Sequence, residues 1–130
     1  MRPLSTVQII RIVAGLLLAA SLLIGCGDDR SPSGNDVRHR LVSVAIDNHF
    51  HDIHPSDHRR IASDGLFAIR SEGHNLHNVT IVGTDIDEDL SPGETLTWNP
   101  VGRYLPPGTY RLFCKYHDWA GMRGEITVVP

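Results

Sequence analysis

The sequence predicts an all-β fold, a sandwich or barrel of short strands. Three observations carry this. Segments with alternating or β-rich composition recur along the chain. The stretches between them, SDG, EGHN, SPGE, NPVG and LPPG, concentrate Gly, Pro, Asn, Asp and Ser. No segment beyond the first 25 residues sustains a helical period of apolar positions.

The chain has 130 residues, room for one domain. Residues 1–25 stand apart: Arg2 and Arg11 are their only charges, and Ile12 to Ile24 is an apolar run. That run has the length of a signal-peptide core and is short for a membrane span. It closes on Leu23-Ile24-Gly25-Cys26, which resembles a bacterial lipoprotein signal. The resemblance implies cleavage before Cys26 and lipid attachment to its sulfur. It places the protein in the cell envelope, anchored to the periplasmic or extracellular face of a bacterial membrane. An ordinary secretory signal and an uncleaved anchor are the alternatives; each of the three exports the domain. Residues 26–40 are polar, with Gly, Ser, Pro and charge, and bury too little apolar surface to fold. They read as a flexible tether. The folded domain is then 41–130.

Within it, LVSVAI (41–46), LFAIRS (66–71), LHNVTIV (76–82), ETLTW (94–98), GTYRLFC (108–114) and GEITVV (124–129) read as strands. Residues 49–64 are less regular and read as a long loop or short helix. In GTYRLFC, side chains alternate, so Tyr110, Leu112 and Cys114 share one face. Tyr and Leu are core residues, so Cys114 ends an inward-facing row at the lip of the core.

Cys114 is also chemically isolated. With Cys26 taken by lipid, no disulfide is available within one mature chain. An exported free thiol oxidises unless something protects it, and a bound metal would. Its neighbours offer one: Cys114, His117 and Met122 form C-x2-H-x4-M, flanked by Gly121 and Gly124, which let the loop bend. Zinc seldom uses a thioether, whereas thiolate, imidazole and a weak methionine suit copper. A further histidine must come from another strand. His77 precedes Asn78-Val79-Thr80-Ile81 and in an extended segment shares a face with Val79 and Ile81. His74 falls in a Gly-Asn turn and is the weaker choice.

HNVTI, then PGTY, then C-x2-H-x4-M-x-G-x-I-x-V, in that order, resembles the plastocyanin-type cupredoxins, the small blue copper proteins. DNHFHDIHP (47–55) is similar to that family's first-strand segment, and SPGETLTW to the strand before its copper loop. The likeness covers 41–130. It implies a Greek-key β-sandwich of seven or eight strands holding one type 1 copper ion. His77, Cys114 and His117 would be ligands, Met122 a long axial ligand, and Asn78 a hydrogen-bonded link between the two ligand loops. It implies an electron carrier, not a self-sufficient enzyme, serving a redox partner protein. Tyr116 and Trp119 are bulky for the loop. Trp119 reads first as packing over the site, and also as part of an apolar docking patch near His117 with Leu76, Leu105, Pro106 and Pro107. Copper storage or delivery is the alternative function, suggested by His49, His51, His54 and His58. These histidines read as exposed loop residues in preference to a second metal site.

Composition narrows the rest. Loss of residues 1–25 leaves ten basic and 15 acidic residues, a formal charge of −5. No basic run exists, which argues against nucleic acid. The acids Asp85, Asp87, Glu88 and Asp89 form a run that reads as a solvated loop, or as a patch steering a basic partner. A cysteine–histidine nucleophile leaves Met122 unexplained, and one small domain lacks ligands for a trinuclear copper centre. A purely adhesive sandwich leaves the exported thiol unexplained.

Overall fold

A computed structural model describes residues 36–130. The signal, Cys26 and all but the end of the tether lie outside the described residues. No helix among the described residues is long and apolar enough to cross a membrane.

Eight strands follow in order: β1 (Val37–Ile46), β2 (His49–His51), β3 (Arg59–Ser71), β4 (His77–Ile81), β5 (Asp87–Leu90), β6 (Thr95–Trp98), β7 (Gly108–Phe113) and β8 (Arg123–Val129). Short 3-10 turns occupy Pro55–Asp57, Val101–Arg103 and Asp118–Ala120. β1 begins at Val37, inside the stretch expected to be tether, because Val37 and Arg38 pair with Arg60 and Ile61. The irregular stretch 49–64 resolves into β2, a 3-10 turn and the first half of β3.

β3 organises the whole. Its first half pairs in parallel with β8, Arg59 to Ala62 against Ile126 to Val129. Its second half pairs with β1 in parallel and with β6 antiparallel. One layer is therefore β2-β1-β3-β6 and the other β3-β8-β7-β4-β5, joined through β3. The strand turns from one layer to the other at a bulge, where Arg38 faces Ile61 but Arg40 faces Leu66. Gly65 sits in that bulge. A Cβ there would lie 2.9 Å from the carbonyl oxygens of both Ala62 and His39, so the backbones approach too closely for a side chain.

Inward-facing residues of both layers form one core. Leu41, Ala45, Phe67, Ile69 and Trp98 come from the first; Val79, Ile81, Leu90, Leu112, Ile126 and Val128 come from the second. Phe67 and Trp98 pair across β3 and β6 with rings stacked 5.3 Å apart. Cys114 and Met122 belong to the same core, so the sulfur-bearing loop is roofed by the sandwich.

Candidate metal centre

β4 presents the first donor. His77, Val79 and Ile81 alternate inward and are buried, as the period-two pattern requires. Leu90 lies opposite His77 in register and closes its far side. His74 is exposed in the preceding turn.

β7 presents the second. Leu112 and Cys114 continue its inward row, and Cys114 is a fully buried free thiol one residue beyond the strand. The chain then turns tightly. His117 N donates to the Cys114 carbonyl at 3.0 Å, and Ala120 N donates to the His117 carbonyl at 2.9 Å. Gly121, at φ 84°, ends the 3-10 turn in the left-handed region where glycine costs nothing. Met122 N returns to the His117 carbonyl at 3.2 Å, and Cys114 N donates to the Met122 carbonyl at 3.1 Å. The backbones of Cys114 and Met122 are thus tied across the mouth of the loop, with His117 between them. Met122 is fully buried.

This folding brings His77, Cys114 and His117 together. One donor atom from each lies within 4.8 Å of the others. Cys114 Sγ and His117 Nδ1 are 3.3 Å apart. The two imidazole rings meet edge to face with centroids 5.1 Å apart. An ion bound about 2.0–2.3 Å from each donor needs separations of this order.

The electrostatics agree with the geometry. His77 is wholly buried, yet neither Nδ1 nor Nε2 has a hydrogen-bond partner. A neutral imidazole carries one N–H and one lone pair, so both are left unsatisfied, at a real cost. Burial pushes the His77 pKa below its usual value, and His117 pushes it further the same way. The ring is held neutral, the form a metal takes. Thiolate with two imidazoles is a borderline-soft set that fits copper.

Asn78 points to the other face of β4. Its Oδ1 accepts from Thr80 Oγ1 at 2.7 Å and, at a long 3.5 Å, from Lys115 N in the ligand loop. Its Nδ2 donates to Asp87 Oδ1 (2.8 Å) and Asp89 Oδ1 (3.0 Å). The link between ligand segments therefore runs mostly through acids expected to lie in a solvated loop. They lie instead on β5, paired in register with β4. Lys115 Nζ bonds Asp87 at 2.9 Å, and Tyr116 OH donates to both carboxylate oxygens of Asp89 at 2.9 and 2.8 Å. Lys115 holds the carboxyl of Asp87 below the usual carboxylate range, and Tyr116 does the same for Asp89.

Two expectations around the loop fail. Trp119 does not pack over the site: it is 82% exposed, its Nε1 donating to the Tyr116 carbonyl at 3.0 Å. Leu105 is fully buried and leaves the expected surface patch, whereas Leu76 stays 44% exposed. Among the described residues, His49, His51, His54 and His58 join no metal-binding group. His49 and His51 are exposed on β2 with rings 6.3 Å apart, and His54 caps the 3-10 turn at Pro55.

No protein-family model matches the sequence, and no curated protein matches it. Solved structures do. A reduced amicyanin variant aligns at TM-score 0.53 and 15% identity, over 75% of this chain and 90% of that one. A fern plastocyanin variant aligns at 0.54 and 18%, over 68% and 100%. A copper-containing nitrite reductase from Thermus scotoductus aligns at 0.55 and 16%, over 70% of this chain but only 22% of the reductase. The chain has the fold these proteins share, the cupredoxin fold, and its His77–Cys114–His117 cluster fits a type 1 copper site.

Proposed function

We propose that the protein is a mononuclear type 1 copper protein that carries single electrons between redox partners. It is exported and held at a bacterial membrane, in the cell envelope, by a lipid on Cys26. The observation that carries the copper reading is His77: a buried imidazole with both nitrogens unpartnered, facing a thiol and a second imidazole. The small size of the amicyanin and plastocyanin neighbours, matched over nearly their whole length, supports a carrier over an enzyme.

His77, Cys114 and His117 would hold the ion, with the buried Met122 as the fourth donor. Bound copper would supply a one-electron Cu(I)/Cu(II) couple. The chain's part is to keep the donors still. Three of the four sit on or beside strands, and the fourth is anchored by backbone bonds within the loop. His117 is partly exposed and Trp119, two residues on, is mostly in solvent, which supports this end as the docking face for the partner protein. The alternative, copper storage or delivery, draws on the exposed His49 and His51.

The test is a visible spectrum of the chain lacking residues 1–25 after addition of Cu(II). An intense thiolate-to-copper band, lost in Cys114→Ser and altered in Met122→Gln, is expected. A colourless protein with weak histidine binding defeats the reading. Transfer of Cu(I) to an acceptor protein faster than redox cycling would favour delivery. Fractionation of cells expressing the full chain and Cys26→Ser tests the lipid: only the former should stay with membranes.

A further inference from the structure

The two residues that separate Cys114 from His117 are both captured by one pair of carboxylates. Asp87 and Asp89 alternate on β5, so they share a face. Register sets Asp89 opposite Asn78 and Asp87 opposite Thr80, on the side of β4 away from His77. Asn78 Nδ2 reaches both acids from below, at 2.8 and 3.0 Å. Lys115 Nζ reaches both from the loop, at 2.9 and 3.2 Å. Tyr116 OH closes on Asp89 through both oxygens. The ammonium also lies 5.3 Å from the Tyr116 ring centroid. Two carboxylates this close repel unless a cation sits between them, and Lys115 supplies it. The direct backbone link from Lys115 N to Asn78 is long by comparison, at 3.5 Å.

We propose that Asp87 and Asp89 are positioning residues for the metal centre: they clamp Lys115 and Tyr116, and through them the Cys114–His117 spacer, onto the strand that carries His77. The clamp deepens the copper reading and rests on it. It fixes the thiolate and His117 against His77 from outside the core, by groups that touch neither metal nor donor atom. Its two arms differ. The Lys115 arm is ionic and partly exposed, so salt weakens it. The Tyr116 arm is a hydroxyl donating to a carboxylate, and salt affects it less.

Tyr116→Phe tests the clamp, because it deletes the hydroxyl without changing charge. Asp89→Ala removes the acceptor. Glu88→Gln is the control: it neutralises an exposed acid on the same strand that takes no part in the network. Two measurements are made on each. The first is hydrogen exchange of the metal-free protein. Amides of 115–121 should exchange about tenfold faster in Tyr116→Phe, given the usual worth of a hydrogen bond to a charged group, while β3 stays unchanged. The second is the copper(II) spectrum and the rate of electron self-exchange. Both should change in Tyr116→Phe and Asp89→Ala and match wild type in Glu88→Gln. Unchanged loop exchange in Tyr116→Phe and Asp89→Ala overturns the clamp. So does a spectral change in Glu88→Gln equal to theirs, which would mark a charge effect. Wild-type protein without an intense visible band defeats the copper reading separately, while exchange in the metal-free protein still decides whether the carboxylates hold the spacer.

Discussion

His77→Leu should make the metal-free protein more stable while abolishing its copper site. Wild-type His77 buries one donor and one acceptor without partners. Each unsatisfied group costs about 1–3 kcal/mol, so even the low end for both gives about 2 kcal/mol. Leucine has no polar atom to strand, and the core that His77 lines is apolar or soft (Val79, Leu90, Cys114, Met122), with the partly exposed His117 ring on one side. For a domain of this size about 1 kcal/mol moves Tm by about 4–8 °C, so the variant should melt about 8 °C or more above wild type. The assay is thermal and urea unfolding with a chelator at pH 8. The pH dependence supplies a second reading. Burial lowers the folded pKa of His77 from 6.5, so the unfolded chain takes up a proton first as pH falls. The stability of neutral His77 is complete above about pH 6.5 and declines below it, towards the folded value. His77→Leu lacks this contribution, so its advantage should widen as pH falls from 7 to 5. With copper at 100 times its dissociation constant the order should reverse in part, since wild type gains about 2.7 kcal/mol and the variant nothing. A metal-free variant that melts at or below wild type refutes the reasoning, because His77 would then be contributing to the fold and not burdening it.

Other substitutions probe the scaffold and the surface. Gly65→Ala puts a Cβ 2.9 Å from two backbone carbonyls, so β1 and β3 must separate; a loss of about 1–3 kcal/mol is expected by urea titration. Phe67→Ala removes the partner of the Trp98 ring at the centre of the core and should cost about 3–5 kcal/mol, read from the same titration. Trp119→Ala removes a side chain that is mostly in solvent. It should leave unfolding within about 0.5 kcal/mol of wild type and slow electron transfer to a protein partner, measured by stopped flow.

Strand positions are legible in the sequence wherever one face is buried and the other wet, as in Leu41 to Ile46 and Gly108 to Cys114. The same alternation orients His77 and Cys114, and the loop spacing adds His117, so the three-donor cluster follows from the residue pattern. What failed has physical causes. Ser63-Asp64-Gly65 looks like a turn, yet it lies inside β3, because the strand has to bend there to serve both layers. Asp87 to Asp89 looks like a loop because three successive acids disfavour a strand; β5 survives because Asn78, Lys115 and Tyr116 satisfy two of them and Leu90 enters the core. Size alone points Trp119 inward. The loop instead aims it outward, held by its indole N–H, and no composition rule records that direction.

β8 lies between β3 and β7, hydrogen-bonded along both edges. Without Arg123–Val129 the first half of β3 keeps only its pairing with β1 and β7 only its short pairing with β4, and the second layer has no middle. Pairing of Arg59 with Ile126 also spans most of the domain, the kind of distant contact that delays folding. A polypeptide built this way can close its second layer only once Arg123–Val129 is in place, so loss of that one segment would separate the two halves of the layer.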